Sequence, residues 1–276
     1  MQHFNTPAPI SATVDIILGD IRFNASDRAD TTVAVEPIDP SRTLDVEAAD
    51  EAKVEFADGK LRVWHPKLRS VFTRKFGSVK VVVELPTGSD VQGDTAQGEY
   101  VVQGAVGSCR LKTAIGGIRV AEAAEARLRT TGGKVTVGHV AGAVEVNGYG
   151  DIRIGRVDGD ATVKNVSGDI TVFVAGAALT AKTTMGDISV GEIGSGTVDL
   201  NAAIGKLDVG VPEGTTVRLD AKASTGRVRN HLEAAATTVQ SARRVDVRAR
   251  CNGGDITVHR AEVGHDAKPG AARLSG

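Results

Sequence analysis

The chain has 276 residues, a formal net charge of −1, and a composition that is 41% hydrophobic but only 3% aromatic. This charge balance excludes a globally basic nucleic-acid-binding protein, so any basic site must be local. The 33 glycines, together with apolar residues that are mainly Val, Ile, Leu and Ala, favour repeated β-structure over a core of bulky aromatic side chains.

The first part of the chain, residues 1–90, predicts irregular β-structure that begins and caps a larger stack. Residues 13–23 and 31–37 have the composition of strands. Residues 52–66 predict a hairpin that turns at Asp58-Gly59, and the segment at 78–91 leads into the regular part.

The second part, residues 91–260, contains a repeat. Glycines that precede short apolar strands recur from Gly98 to Gly205 at spacings of 18, 17, 17, 18, 18 and 19 residues. Two later glycines, Gly226 and Gly254, follow after 21 and 28 residues. We interpret these two intervals as the same unit with longer connections. A period this steady indicates a repeat architecture.

Each repeat unit also contains a second strand before its glycine. The fifth and seventh residues before the glycine are apolar in nearly every unit, and their neighbours are mostly polar. This alternation is typical of a strand with one buried face. Such units bury an apolar face only when they are stacked. The sequence therefore predicts an all-β, single-chain β-solenoid with rungs of about 18 residues, in preference to a sandwich or a propeller.

Two segments near the end of the chain depart from the repeat. Residues 231–240, "HLEAAATTVQ", predict a short helix or a loop. Residues 261–276 have no periodicity and predict a mobile tail.

The sequence lacks the long apolar run of a membrane span and the start of a secretory signal, so we expect a cytoplasmic protein. Cys109 and Cys251 are far apart and match no metal or redox spacing. They predict reduced, structural thiols.

Three features together resemble the DUF4097 family, whose members are toastrack-type β-strand repeat proteins also described as "putative adhesins". These features are "LGDIRF" near the start, "VKVVVELPTGSDV" before the repeats, and the serial "GDI" corners. The resemblance covers about residues 10–260. It implies a solenoid of poorly defined function, sometimes attached to proteins of envelope-stress signalling, and it offers no catalytic residues.

The sequence contains no common catalytic motif. The histidines form no metal-spaced pair, and a phosphate loop, a dinucleotide fingerprint and a serine-hydrolase elbow are all missing. We therefore expect a non-catalytic interaction or scaffold protein without a cofactor or metal. A self-assembling rod or adhesin-like protein, and an enzyme with a site formed across rungs, remain alternatives.

The first candidate site is the aspartate column, which we define as Asp151, Asp169 and Asp187 at equivalent corners of successive repeats. Stacked carboxylates could bind a cation, but the remaining positions of a calcium-binding repeat are missing. Lys134 and Lys206 occupy the same position in the flanking repeats. We therefore favour bonding within the turns and surface ion pairs.

The second candidate is a loop in which aromatic and basic residues alternate. Such a mixture can contact phosphates or an anionic membrane surface, or it can cover the open end of the solenoid. The residues are Trp64, Lys67, Arg69, Phe72, Arg74, Lys75 and Phe76.

The third candidate is the outward position four residues before each glycine, after a one-residue correction at Gly150. Six of the eight residues from Gly116 to Gly254 are basic there, whereas the 33 Lys and Arg residues of the chain would place about one by chance. They are Lys112, Arg129, Lys164, Lys182, Lys222 and Arg250.

Stacking would turn these six residues into a basic stripe, either as a solvated face or as a site for an anionic partner. The partner could be an acidic protein surface, a polyanion or phospholipid headgroups. Self-association is also open, and we expect no sequence-specific binding of nucleic acid.

Overall fold

The computed structural model describes residues 1–65, 77–232 and 243–261 and shows an all-β protein that winds as a solenoid. Most of its strands pair in parallel with the equivalent strand of the next rung, as expected for stacked repeats. The fold class predicted from the repeat period is therefore confirmed.

The N-terminal part contains seven strands and one helix. β5 and β6 form the predicted hairpin, which turns through the left-handed residues Asp58 (φ 49°) and Gly59 (φ 70°). The elements are β1 (Gln2–Asn5), β2 (Ser11–Asp15), β3 (Gly19–Ser26), β4 (Asp30–Pro37), α1 (Thr43–Glu51), β5 (Lys53–Ala57), β6 (Lys60–Trp64) and β7 (Val79–Pro86).

The regular part begins with one short strand and two long ones, which are β8 (Asp90–Gln97), β9 (Tyr100–Ile115) and β10 (Ile118–Thr130). It continues with β11 (Val135–Val140), β12 (Val144–Gly148), β13 (Ile152–Val157), β14 (Ala161–Ser167), β15 (Ile170–Ala175), β16 (Leu179–Met185) and β17 (Ile188–Ile193). It ends with β18 (Gly196–Ile204), β19 (Leu207–Val211), β20 (Thr215–Thr225), β21 (Val228–Asn230), β22 (Arg243–Gly253) and β23 (Ile256–Arg260).

Each rung contributes one strand to each of two faces, and the long strands β9 and β10 contribute to both. Face A has the spatial order β5-β6-β2-β8-β9-β10-β12-β14-β16-β18-β22-β20. Face B has the order β1-β4-β7-β3-β9-β10-β11-β13-β15-β17-β19-β23-β21.

The spatial order of the rungs departs from the chain order at both ends. β22 lies between β18 and β20, and β23 lies between β19 and β21. The last two strands of the chain are therefore inserted between strands that precede them in sequence. β2 and β3 are inserted in the same way near the N-terminus. The last two repeats are units of the same kind with longer connections, but they stack in an order that differs from their order in the chain. Their longer connections allow the chain to turn back, because lengthening a loop adds little closure entropy.

The interior consists of aliphatic side chains at the alternating positions that the sequence predicts. On face A, Leu128, Val163 and Leu200 are fully buried, as are Ile152 and Ile170 on face B. Each such side chain contributes roughly 1.5–3 kcal/mol when it is fully removed from water. Among the described rungs, only the last has half-buried residues at these positions, because β20 forms the end of the stack.

The corner glycines allow the rungs to approach closely. Gly186 has a φ of +138°, and a Cβ atom built on it would lie 2.1 Å from the carbonyl oxygen of Gly168 in the preceding rung. A side chain would thus be strained by both the backbone conformation and the stacking distance. This explains why glycine recurs at each corner.

The helix α1 (Thr43–Glu51) was not predicted from the sequence. It packs near β4 and β7, and its fully buried Asp45 accepts hydrogen bonds from the amides of Ser78 (3.0 Å) and Asp39 (3.2 Å). Arg42 lies 3.6 Å from the same carboxylate. One of these partners, Ser78, comes from a distant chain segment, so local periodicity gave no indication of how the helix is held.

Candidate functional site

The six basic residues singled out by their spacing lie in one continuous row on face A. Strand register joins neighbouring members, and two asparagines, Asn147 and Asn201, occupy the remaining places. We call this set the basic row; its spatial order is Lys112, Arg129, Asn147, Lys164, Lys182, Asn201, Arg250 and Lys222. Five of the six basic residues are exposed, and Arg250 is half-buried.

Charges near the two ends of the basic row are compensated within the chain. Lys112 Nζ lies 3.0 Å from Asp94 Oδ2 of the preceding rung. Arg250 forms an ion pair with Asp220 and also donates to its backbone carbonyl at 2.7 Å. The hydrogen bond from Arg250 holds the pKa of Asp220 below its ordinary value.

The middle of the row is different. Lys164 and Lys182 are paired in register on adjacent strands, and both side chains are exposed. Within the three described ranges, neither lysine has a carboxylate at ion-pair distance. Like charges on directly paired positions repel each other unless a third group compensates them. This pair is therefore the part of the row best suited to an external anion.

A shallow groove lies beside the first half of the row, and sequence reasoning did not find it. It has a volume of about 440 Å³ and includes Arg110, Arg127, Glu125 and Glu145 in its lining. Arg127 Nε lies 2.9 Å from Glu145 Oε2 across adjacent rungs. The groove thus carries both charge signs and has no single electrostatic preference.

The aspartate column is an element of the architecture. Asp151 Oδ1 accepts a hydrogen bond from the amide of Asp169 at 3.3 Å, and Asp169 Oδ1 accepts from the amide of Asp187 at 2.9 Å. Asp187 Oδ1 in turn accepts from the amide of Lys206 at 2.7 Å. Each carboxylate therefore accepts a hydrogen bond from the backbone of the next rung. The sequence led us to expect bonds within one turn, so this link between rungs was not predicted.

The same bond follows the spatial order of the rungs at the end of the stack. Asp255 Oδ1 accepts from the amide of Arg227 at 2.9 Å, although Arg227 precedes it in the chain. That hydrogen bond is the largest cause of the lowered pKa of Asp255. No group of three or more potential metal ligands occurs among the described residues.

Only one member of the aromatic and basic loop is described. Trp64 ends β6 and is half-buried, and the guanidinium carbon of Arg62 lies 4.8 Å from the centre of its ring. This contact is a cation–π interaction. The other residues lie outside the described ranges, namely Lys67, Arg69, Phe72, Arg74, Lys75 and Phe76.

Exposed apolar side chains gather at the corner between the basic row and the aspartate column. Nine large apolar residues of the described chain are exposed, and five of these lie at or next to the residue before a corner glycine. We call this set the corner ridge, which consists of Ile115, Tyr149, Val166, Met185 and Ile204. Its members are too far apart in sequence to form one apolar segment, so it was not predicted from the sequence.

The two cysteines are free and buried. Burial raises the pKa of Cys109 to about 12, and Cys251 Sγ lies 3.0 Å from the carbonyl oxygen of Gly205. A thiol with a raised pKa is a poor nucleophile because little of it is ionised. These observations agree with a structural role.

The tail at 262–276 and residues 233–240 of the alanine-rich segment also lie outside the described ranges. Among the described residues, no helix combines the length and apolar character required to cross a membrane.

A family model described as Toastrack DUF4097 matches residues 13–259. Solved structures to which the chain is similar include a "putative adhesin" from Bacteroides fragilis, with 14% identity, coverage of 93% of this chain and 95% of that chain, and a TM-score of 0.42. A "putative lipid binding protein" from Parabacteroides distasonis has 11% identity, coverage of 94% and 96%, and a TM-score of 0.42. A comparison with curated proteins found no match.

Proposed function

The chain belongs to the Toastrack DUF4097 family, and on this premise we propose that it is a non-catalytic binding scaffold whose basic row recognises an acidic protein surface. The stacked rungs supply a rigid frame that holds the charges at fixed spacing. A partner with a matching row of carboxylates would bind without reordering this frame, which limits the entropy cost of association. A cytoplasmic location and a link to envelope-stress signalling stay predictions.

The observation that carries the proposal is the in-register pair Lys164 and Lys182. Both side chains are exposed, and no carboxylate of the described residues compensates either of them. Adjacent rungs are separated by about 4.8 Å, so the two ammonium groups repel each other in the free protein. An acidic partner relieves this repulsion and gains two ion pairs.

The surroundings of this pair support a protein partner over a bare polyanion. Face A also carries acidic groups beside the row, including Asp199 and Glu145. A uniform polyanion would meet these carboxylates as well as the lysines. A folded acidic surface can instead place its charges opposite the basic row alone, which is the usual source of specificity at charged interfaces.

The experiment that tests this proposal measures binding of poly-L-glutamate to the full chain as a function of salt concentration. We expect only weak binding, because the acidic groups beside the row repel part of a uniform polyanion. This binding should decline steeply with salt and should be lost in the double variant Lys164→Glu with Lys182→Glu. The matched control carries Lys53→Glu and Lys60→Glu, which change two exposed lysines of the β5–β6 hairpin. Equal binding of both double variants would overturn the proposal.

A further inference from the structure

The corner ridge is an apolar surface for which the proposed function has no use. Its five side chains are between 49% and 62% exposed, and they lie along one edge of the stack. Met185 and Ile204 are directly paired in register. The ridge runs from the rung of Ile115 to the rung of Ile204, five rung intervals further along the stack. At about 4.8 Å for each interval it is roughly 24 Å long.

Opposite charges flank this ridge. The basic row lies on face A, two or three residues before the ridge in each rung, and the aspartate column lies two or three residues after it. Lys164 and Asp169 belong to one rung, and Lys182 and Asp187 belong to the next. Each of these two rungs is therefore positive on one side of the ridge and negative on the other.

We propose that the corner ridge is a self-association surface on which a second copy of this chain packs side by side, with a two-fold axis parallel to the stack. This axis places ridge against ridge and keeps equal rungs at equal height. The lysines Lys164 and Lys182 of each copy then face Asp169 and Asp187 of the other. The inference rests on the proposed function, because it uses the same basic row and names a second copy as its acidic partner.

The choice of axis follows from the charges. A two-fold axis that runs across the ridge would bring the basic row of one copy against the basic row of the other. An axis parallel to the stack instead pairs Lys164 and Lys182 with Asp169 and Asp187, and each of these ion pairs occurs twice because the interface is isologous. Charge complementarity thus favours one orientation of the second copy.

The aspartates can form these ion pairs without leaving their structural bonds. The described hydrogen bonds to the next rung use Oδ1 of Asp169 and Asp187. Both aspartates are exposed, and no described bond uses Oδ2 of either carboxylate, so this oxygen is available to a lysine of the second copy. The column therefore both orders the corner and supplies the acidic surface.

The same charges disfavour an anionic membrane as the occupant of the ridge. A flat layer of anionic headgroups that reached the ridge would approach the aspartate column as closely as the basic row. Repulsion by one flank would then offset attraction by the other. The short ridge also implies a small interface, so the dimer should be weak and reversible.

Sedimentation velocity of the full chain over a series of concentrations tests the ridge. We expect a monomer–dimer equilibrium that is shifted to monomer by Met185→Ser with Ile204→Ser. Both residues are more than half exposed, so the melting temperature should change little. The matched control is Ile38→Ser with Val228→Ser, which alters two exposed apolar residues away from the ridge and should retain the dimer.

Charge reversal tests the orientation. Lys182→Glu and Asp187→Lys should each raise the dimer dissociation constant about tenfold, because each homodimer then contains like-charged pairs. A mixture of the two single variants should form a heterodimer of nearly native affinity, since both of its pairs are again unlike. Asp187→Asn is the control for the structural bond, because its amide oxygen can still accept from Lys206.

Three results would overturn the inference: a monomer at every concentration, a dimer that the ridge variants leave intact, or ridge-dependent binding to anionic vesicles by a protein that stays monomeric. A monomer that still binds poly-L-glutamate through Lys164 and Lys182 would overturn the inference but would still support the proposed function. A dimer that requires the ridge but tolerates both charge reversals would show that the copies associate through apolar contacts and that the basic row takes no part. This result would overturn the proposed two-fold arrangement.

Discussion

Asp187 accepts a hydrogen bond at Oδ1 from the backbone amide of Lys206, one rung further along the stack, at 2.7 Å. The bond joins a side chain of one repeat to the main chain of the next, so the carboxylate takes part in stacking. It also explains why the aspartate follows the corner glycine directly: from this position the side chain reaches the amide of the next corner.

The first prediction concerns this bond at Asp169. Asp169→Ala leaves the amide of Asp187 without its carboxylate acceptor and should lower the free energy of unfolding by about 1 kcal/mol. Asp169→Asn keeps an acceptor oxygen and should lose clearly less. Urea unfolding of the three proteins measures the difference. Equal losses in both variants would show that the charge matters and the hydrogen bond does not.

The second prediction is that the fold does not require calcium. In the aspartate column, one oxygen of each carboxylate accepts a hydrogen bond from a backbone amide, and the described residues contain no metal-ligand cluster. Millimolar calcium should therefore leave the melting temperature almost unchanged, because only a ligand that binds the folded form stabilises it. A large rise that Asp169→Ala abolishes would contradict this prediction.

The third prediction concerns the corner glycines. Gly186→Ala combines a positive φ with a Cβ atom 2.1 Å from the oxygen of Gly168 and should destabilise the protein severely, by roughly 3 kcal/mol or more. Gly214→Ala is the matched control, since Gly214 has a φ of +70° and nothing within 4 Å of its added Cβ. It should cost only about 1–2 kcal/mol. Similar losses measured by urea unfolding would mean that stacking does not select glycine at the corner.

The fourth prediction concerns pH and the ion pair between Arg250 and Asp220. The hydrogen bond from Arg250 lowers the pKa of Asp220 in the folded state from its ordinary value of 3.8. The pair therefore stabilises the fold above that pH, and its contribution is lost as pH falls through the lower folded value. The stability difference between the native protein and Asp220→Asn should shrink as pH falls below 3.8. A difference that stays constant with pH would rule out this linkage.

Much of the repeat could be predicted because its information is local. The two-residue alternation placed Leu128 and Val163 inside, and the spacing from the glycines placed Lys164 and Lys182 at equivalent outward positions. Once rungs stack in parallel, equivalent positions become neighbours, so the basic row followed from the sequence. The binding role of that row stays a prediction.

The sequence by itself determined the strands, the corners and the face to which each side chain points, because these depend on residues only a few positions apart. Only the tertiary structure decided which rungs are neighbours, such as β22 between β18 and β20, and thereby which amide Asp255 bonds. It also decided that the buried Asp45 of the helix bonds the amide of the distant Ser78 and that Met185 and Ile204 join one ridge. Parallel strands of similar pattern can pair in several orders, and the choice depends on contacts between distant segments that local periodicity does not contain.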